Sequence, residues 1–416
     1  MKLRPAGRHP APSRSFARML SAPTLALPLT ISLILAVPAE AIAADAAQPS
    51  GTSRQVEMEK LGEQLFFDTN LSGNRTQACA TCHMPDFGFV DARETEEAGN
   101  AVSLGDDGKS LGDRNAPTAS YARFSPPFGK SPKPGLYHGG QFLDGRARDL
   151  AEQAGGPPLN PLEMGMPDKA SVVERLKENP DYVSAFGKLY GQATLDDADA
   201  AYAAMTIAIA AYEQTAEFAP FDSKYDRYLR GEEKLTDQEE LGRLLFFSKQ
   251  FTNCNLCHQL RTRAGEKEET FSNYEFHNIG VPKNTAARAA AGLPPDSRDM
   301  GLAQNPNVPE EEKAAQAGRF KVPTLRNVAV TGPYMHNGVF KDLRTVILFY
   351  NTYNTHNPAR HINPETGETF APPEVEENIS LKELQTGPAL DNRRIDALVA
   401  FLKTLTDKRY QHLLNP

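Results

Sequence analysis

Cys79-Ala80-Thr81-Cys82-His83 and Cys254-Asn255-Leu256-Cys257-His258 are the two stretches on which the reading of this chain turns. Each is a C-x-x-C-H, the pattern through which two thioether bonds fix a c-type haem while the adjacent histidine takes an axial position on the iron. A zinc site or a redox dithiol is the other use of a C-x-x-C pair. Here histidine follows directly both times, and the two motifs consume all 4 cysteines of the chain. Two covalently bound c-type haems are therefore expected.

Working outward, the flanks of the two motifs resemble each other. LGEQLFF begins at Leu61 and LGRLLFF at Leu241, each closely followed by C-x-x-C-H. This is an internal repeat at a scale of about 180 residues, two copies of one haem-binding module. Met58, Leu61, Leu65 and Phe66 have helical spacing. Each module also closes on an apolar-rich helical stretch, residues 198–216 and 394–405. The expected fold is mainly α, with a haem domain over 52–220 and another over 234–410. Residues 218–233 read as the connection, and Thr236 or Asp237 as the N-cap of the next helix. The stretches 84–140 and 260–320 are rich in Gly, Pro and charge and read as long loops. Loops of that length in a compact protein are usually functional.

The totals set limits. A chain of 416 residues, 24% charged and 40% hydrophobic, is ordinary for a globular protein. A net charge of -8 gives no support to a nucleic-acid partner. Lys2, Arg4, Arg8, Arg14 and Arg18 precede an apolar run at 25–37, and Ala41-Ile42-Ala43 offers a cleavage site before Ala44. Residues 1–43 thus read as a signal peptide. The apolar run is short for a span of ~20 residues, and no other stretch is long enough. The expectation is a periplasmic mature protein with no stable membrane insertion, since bacteria attach c-type haem outside the cytoplasm.

Four further stretches carry a resemblance: GDRNAPT (112–118), QFLDGRARDLAEQA (141–154), NPLEMGM (160–166) and FKVPTLRNVAVTGPYMHNG (320–338). With the haem motifs, they make the chain similar to the bacterial di-haem cytochrome c peroxidase/MauG family over nearly the whole mature length. The resemblance implies two cytochrome-c-like domains packed face to face across a calcium ion. The first haem would meet hydrogen peroxide and the second would relay electrons. It assigns His83 and His258 as proximal ligands, Gln153 and Glu163 to the peroxide side of the first haem, and Pro157 to a place over that haem. Asn115, with the carbonyls of Thr331 and Pro333, would hold Ca²⁺, a hard cation suited to oxygen donors. On residue pattern alone Glu163 reads as a solvated carboxylate, Gln153 as a helix-surface amide and Asn115 as a turn residue.

The departures from the family pattern are informative. The peroxidase branch blocks its first iron with a distal histidine a few residues before the R-N-P-T-like segment. None of the 9 histidines here lies between His83 and His138, and the matching position is about Asp107. The first haem is thus expected to be open, with His138 as the only nearby competitor. That branch also places Met fourteen residues after the histidine corresponding to His336. Tyr350 stands there instead, which resembles the MauG-like branch. An anionic phenolate favours ferric and higher oxidation states, so two oxidising equivalents stored across both haems are expected. Spacing alone leaves Met335, Met300 and Tyr353 open as the ligand. His277, His336, His356 and His361 read as supporting or surface residues.

Relatives also carry Trp between the haems. Here that segment is Phe142-Leu143-Asp144-Gly145-Arg146, and the chain has no Trp at all. Leu143 cannot be oxidised, so the haems must communicate through a tyrosine, or through propionates and water. The electrons would come from a small cytochrome or cupredoxin, or from a residue of a partner protein undergoing maturation. A non-catalytic electron-carrying cytochrome is the third reading. Gln153, Glu163 and the missing distal histidine argue against it.

Overall fold

A computed structural model describes residues 51–414 apart from 262–264 and 386; the expected signal peptide lies outside them. Both LGxxLFF stretches fall on helices, Gly51–Phe66 and Asp237–Phe246. Each packs across the closing helix of its own module, Ala198–Glu213 or Asn392–Lys403. The repeated glycine explains the packing. A Cβ added at Gly62 would collide with the carbonyl oxygen of Ala208, and one at Gly242 with that of Ala397. A residue lacking Cβ is what lets the two backbones approach so closely. The phenylalanine four positions on fills the wedge beside the crossing. Phe66 lies 5.4 Å from Tyr212, and Phe246 lies 5.2 Å from Phe401.

Two apolar cores follow. One gathers Leu61, Leu65, Phe66, Phe89, Met205 and Phe218; the other gathers Phe246, Phe271, Ile347, Ile395, Leu398 and Phe401. Each large side chain so buried contributes roughly 1.5–3 kcal/mol. The architecture is largely helical and built on two cytochrome-c-like cores, as expected. Thr236 is the N-cap, its hydroxyl accepting from Glu239 N in a capping box with the Glu239 carboxylate. The connection at 218–233 is more than a linker. It contains the helix Lys224–Leu229, capped by Ser223, and Tyr225 enters the second core.

The long loops are fastened by short elements. Strands Gly129–Lys130 and Tyr137–His138 pair antiparallel, as do Phe276–His277 and Phe320–Lys321. Buried polar bonds join segments of the two modules. Arg114 reaches Asp144 and Asp299, each at 2.6 Å, and Tyr121 donates its hydroxyl to Asp407 at 2.7 Å. Among the described residues no helix is long and apolar enough to cross a membrane.

Candidate haem-binding centres

Both C-x-x-C-H motifs form a single helical turn, Cys79–Cys82 and Cys254–Cys257. The histidine closes each turn, His83 N donating to Cys79 O and His258 N to Cys254 O, both at 2.9 Å. The Nδ1 of His83 lies 3.1 Å from the carbonyl of Phe89, and that of His258 lies 3.2 Å from the carbonyl of Phe271. A carbonyl only accepts, so Nδ1 carries the proton and Nε2 keeps a lone pair for a metal. Backbone anchoring of this kind is how ligating imidazoles are held in place. Phe89 and Phe271 both sit in the left-handed region, with φ of 58° and 55°. Burial lowers His83 and pushes His258 down to about 4, favouring the neutral rings that iron needs. None of the four cysteines is in a disulfide. Free thiols and aligned neutral imidazoles fit a covalently bound haem at each motif.

At the second motif a cavity of about 380 Å³ is lined by Cys254, Cys257, His258 and Tyr350. Tyr350 projects from the helix Leu343–Thr352, whose N-cap is Asp342. Met335 also lines the cavity, whereas the hydroxyl of Tyr353 is committed to Ile279 O at 3.0 Å. Burial, with Cys257 and Cys254 nearby, pushes the Tyr350 phenol above the usual range, so a phenolate there requires a cation beside it. His277 and His336, expected as supporting or surface residues, face this cavity and are buried. Lys321 donates to Gly140 O at its wall and is pushed down to about 7 by burial. Asn115, Thr331 and Pro333 line the same space. Asn115 Nδ2 donates to Ala101 O at 3.1 Å, and its backbone N to His336 O at 2.8 Å.

At the first motif Glu163 sits in a loop tied down from several sides. Asp106 N donates to Glu163 O and Gly73 N to Met164 O, both at 2.7 Å. The Asp106 carboxylate in turn accepts from Thr76 Oγ1 at 2.6 Å, fixing the loop to the segment that leads into Cys79. The Glu163 carboxylate accepts from Asn160 Nδ2 at 2.7 Å. Burial raises its pKa, partly offset by that bond and by Arg146. Burial above all raises the Cys79 and Cys82 thiols, and the Glu163 charge adds a smaller push in the same direction. Gln153 lies on the helix Leu150–Ala154, and its side chain has no hydrogen-bond partner among the described residues. Pro157 opens the 3₁₀ turn Pro157–Leu159, and its carbonyl accepts from Met164 N at 3.2 Å. Asp107 is exposed and accepts from Lys109 N and Ser110 N.

Several residues here were missed by sequence reasoning. Phe89 and Phe271 escaped because they stand 6 and 13 residues after their histidines, so the repeat does not align them. Asn160 and Arg146 lie inside the quoted family stretches without a distinguishing signal. Glu213, on the closing helix, is buried with one carboxylate oxygen unpartnered and is pushed up to about 8 by burial.

Paired helical cores, each with a carbonyl-anchored C-x-x-C-H histidine, put the fold in the class of double cytochrome-c-like proteins. Residues 56–234 match the family model described as di-haem cytochrome c peroxidase. The methylamine utilization protein MauG of Paracoccus denitrificans is 54% identical over 382 residues, 92% of this chain and 95% of that protein. The cytochrome c551 peroxidase of Pseudomonas aeruginosa is 30% identical, covering 77% of this chain and 76% of its own. The crystal structure of the diheme peroxidase BthA from Burkholderia thailandensis superposes with a TM-score of 0.74 at 33% identity, covering 87% of each chain. The chain belongs to the di-haem cytochrome c peroxidase/MauG family.

Proposed function

We propose that this chain is a periplasmic di-haem c-type peroxidase that uses hydrogen peroxide as oxidant. The first haem would belong to residues 52–220 and the second to residues 234–410. Haem supplies an iron that gives up electrons to peroxide. The protein does the rest. His83 and His258 would hold the haems through Nε2, their rings fixed by the carbonyls of Phe89 and Phe271. Gln153 would hold peroxide by hydrogen bonds. Glu163 takes the proton from the inner peroxide oxygen and delivers it to the outer one, so that water leaves. Pro157 would lie over the first haem, and the sequence offers no histidine between His83 and His138 to block it. Tyr350, which lines the cavity with His258, would help hold the other haem, and Asn115, Thr331 and Pro333 would hold Ca²⁺. The observation that carries this reading is the Glu163 carboxylate, held by Asn160 in a loop that Asp106 and Thr76 tie to the segment leading into Cys79.

A specific observation favours a second reading of the electron source. The 54% identical relative is a methylamine utilization protein, matched over nearly its whole length. On that reading the electrons come from a residue of a partner protein during its maturation; on the first they come from a small cytochrome or cupredoxin. The test begins with stoichiometric peroxide and the as-isolated diferric protein. The visible spectrum should change without added reductant, and no change until a reductant is supplied would sink the open-site reading. Tyr350→Phe should alter the spectrum of the second haem, and an unaltered spectrum removes that ligand. Steady turnover with a reduced small cytochrome would support the detoxifying role over the maturation role.

A further inference from the structure

We propose that Tyr121 is a redox-active residue linking the two haem centres, passing its phenolic proton to Asp407 when it gives up an electron. The inference rests on the reading above that both haems are present and that peroxide oxidises them.

The need arises from composition. The chain has no Trp, and Leu143, which stands where the family resemblance puts a Trp between the centres, has no oxidisable ring. Tyr121 is 1% exposed and lines the second cavity together with His258. Two bonded or packed residues separate it from each proximal histidine, Phe218 and Phe89 on one side and Arg326 and Phe271 on the other. On the first side, the Phe89 carbonyl that anchors His83 also accepts from Ala119 N at 3.1 Å, two residues before Tyr121. Tyr121 N donates to Phe218 O at 2.9 Å, and the Phe218 ring stacks on Phe89 at 4.2 Å. On the second side, the Arg326 guanidinium lies 5.3 Å from the Tyr121 ring and 5.4 Å from that of Phe271, whose carbonyl anchors His258. Bonded and packed neighbours thus run from one proximal histidine to the other through this tyrosine.

The proton also has a fixed destination. A phenol that loses an electron becomes a strong acid, and a buried cation with nowhere to send its proton is costly. The Tyr121 hydroxyl donates to Asp407 Oδ1 at 2.7 Å. Asp407 is held in place, Oδ2 accepting from Asn327 Nδ2 and its backbone N donating to Asn327 Oδ1, both at 2.8 Å. The neighbouring Arg326 charge is balanced by Asp226, which it grips with two hydrogen bonds at 2.5 and 3.0 Å. Burial keeps the phenol protonated, as donation to a carboxylate requires. Tyr212 is the nearest rival, because its hydroxyl meets Glu217 at 3.0 Å. It belongs to the first core alone and does not reach the second cavity.

The step balances. Peroxide takes two electrons from the haem pair and, with two protons, becomes two waters. Tyr121 returns one electron to the pair, its O–H bond breaks, and the proton goes to a carboxylate oxygen of Asp407. A neutral tyrosyl radical and a neutral carboxylic acid result. An electron from the donor protein or partner residue then refills Tyr121, and the proton comes back from Asp407.

The test uses the holoprotein, labelled with ring-deuterated tyrosine and freeze-quenched after stoichiometric peroxide without a donor. Electron paramagnetic resonance should show an organic radical narrowed by the label. The signal should be lost in Tyr121→Phe, kept in Tyr212→Phe and weakened in Asp407→Asn, each variant keeping its resting haem spectrum. The Asp407→Asn arm and the isotope narrowing serve if Tyr121→Phe fails to fold. A radical insensitive to the label, a radical that survives Tyr121→Phe, or no radical when the haem spectrum does respond to peroxide would each overturn the assignment. No response of the haem spectrum to peroxide would overturn the proposed function itself, and this inference with it.

Discussion

Replacing Glu163 by glutamine tests the chemistry with little change of shape. The amide oxygen can still accept from Asn160 Nδ2, which now bonds the carboxylate at 2.7 Å. What disappears is the ability to take and return a proton. A positioned acid–base group contributes typically 10²–10⁴-fold. Gln153, proposed to hold peroxide, is untouched, so we expect the second-order rate constant with peroxide to fall by about 10³-fold, or about 4 kcal/mol of activation free energy. Stopped-flow absorbance of the resting protein against peroxide concentration measures it directly. The pH dependence gives a second handle. Burial raises the Glu163 pKa above its ordinary 4.5, and the group must be ionised to accept the first proton. The wild-type rate should therefore fall as pH drops through that raised value, and the variant should lack this acid limb. Unfolding does not explain such a loss. A carboxyl whose folded pKa is raised contributes stability below its unfolded pKa, and that contribution is lost as pH rises through the folded value. The variant is thus expected to be no less stable than wild type at neutral pH. An unchanged rate constant, or an acid limb that survives the substitution, refutes the role.

The glycine crossings predict parallel failures in the two modules. Gly62→Ala and Gly242→Ala each drive a methyl into a facing carbonyl and should cost about 1–3 kcal/mol by thermal or urea unfolding. Gly112→Ala meets nothing closer than 3.8 Å and should be neutral by the same measurement. At Glu213, burial raises the folded pKa from 4.5 to about 8. Wild type should therefore lose stability relative to Glu213→Gln as pH rises from 4.5 to 8, by up to a few kcal/mol. Urea unfolding of both proteins at pH 5 and pH 8 reads this difference, and a gap that does not change with pH would contradict it.

The architecture was legible because it is repeated. Cysteine spacing identified two C-x-x-C-H segments that each form one helical turn, and LGxxLFF identified two helices whose glycine and phenylalanine do the same jobs twice. Gly62 and Gly242 meet equivalent carbonyls, while Phe66 and Phe246 fill equivalent wedges. Such signals are local, since a period and a missing Cβ act within a few residues of where they are written. The 218–233 stretch shows the limit. Its charge and loop-like flanks read as a linker, yet Ser223 and Asp226 cap a helix there and Tyr225 is drawn into the second core. Tertiary burial decided that segment more than its own composition did.

The site was legible wherever chemistry is concentrated in one residue and hidden wherever it is shared through the backbone. His83 and His258 could be singled out from their motifs, but the tautomer that would suit them as ligands is set by the carbonyls of Phe89 and Phe271. Those two share a left-handed conformation and a role without sharing a spacing, so a repeat search steps over them. The same holds between the modules. Arg326 could be read as a surface cation, yet it is 1% exposed and wedged among Tyr121, Phe221 and Phe271. A buried guanidinium is tolerated only when a carboxylate meets it, and Asp226 does so from 100 residues away. That separation is why the pair left no trace in any local pattern. It also lets Arg326 join what the two C-x-x-C-H turns keep apart, because its partners and stacking rings come from both sides of the division between the cores.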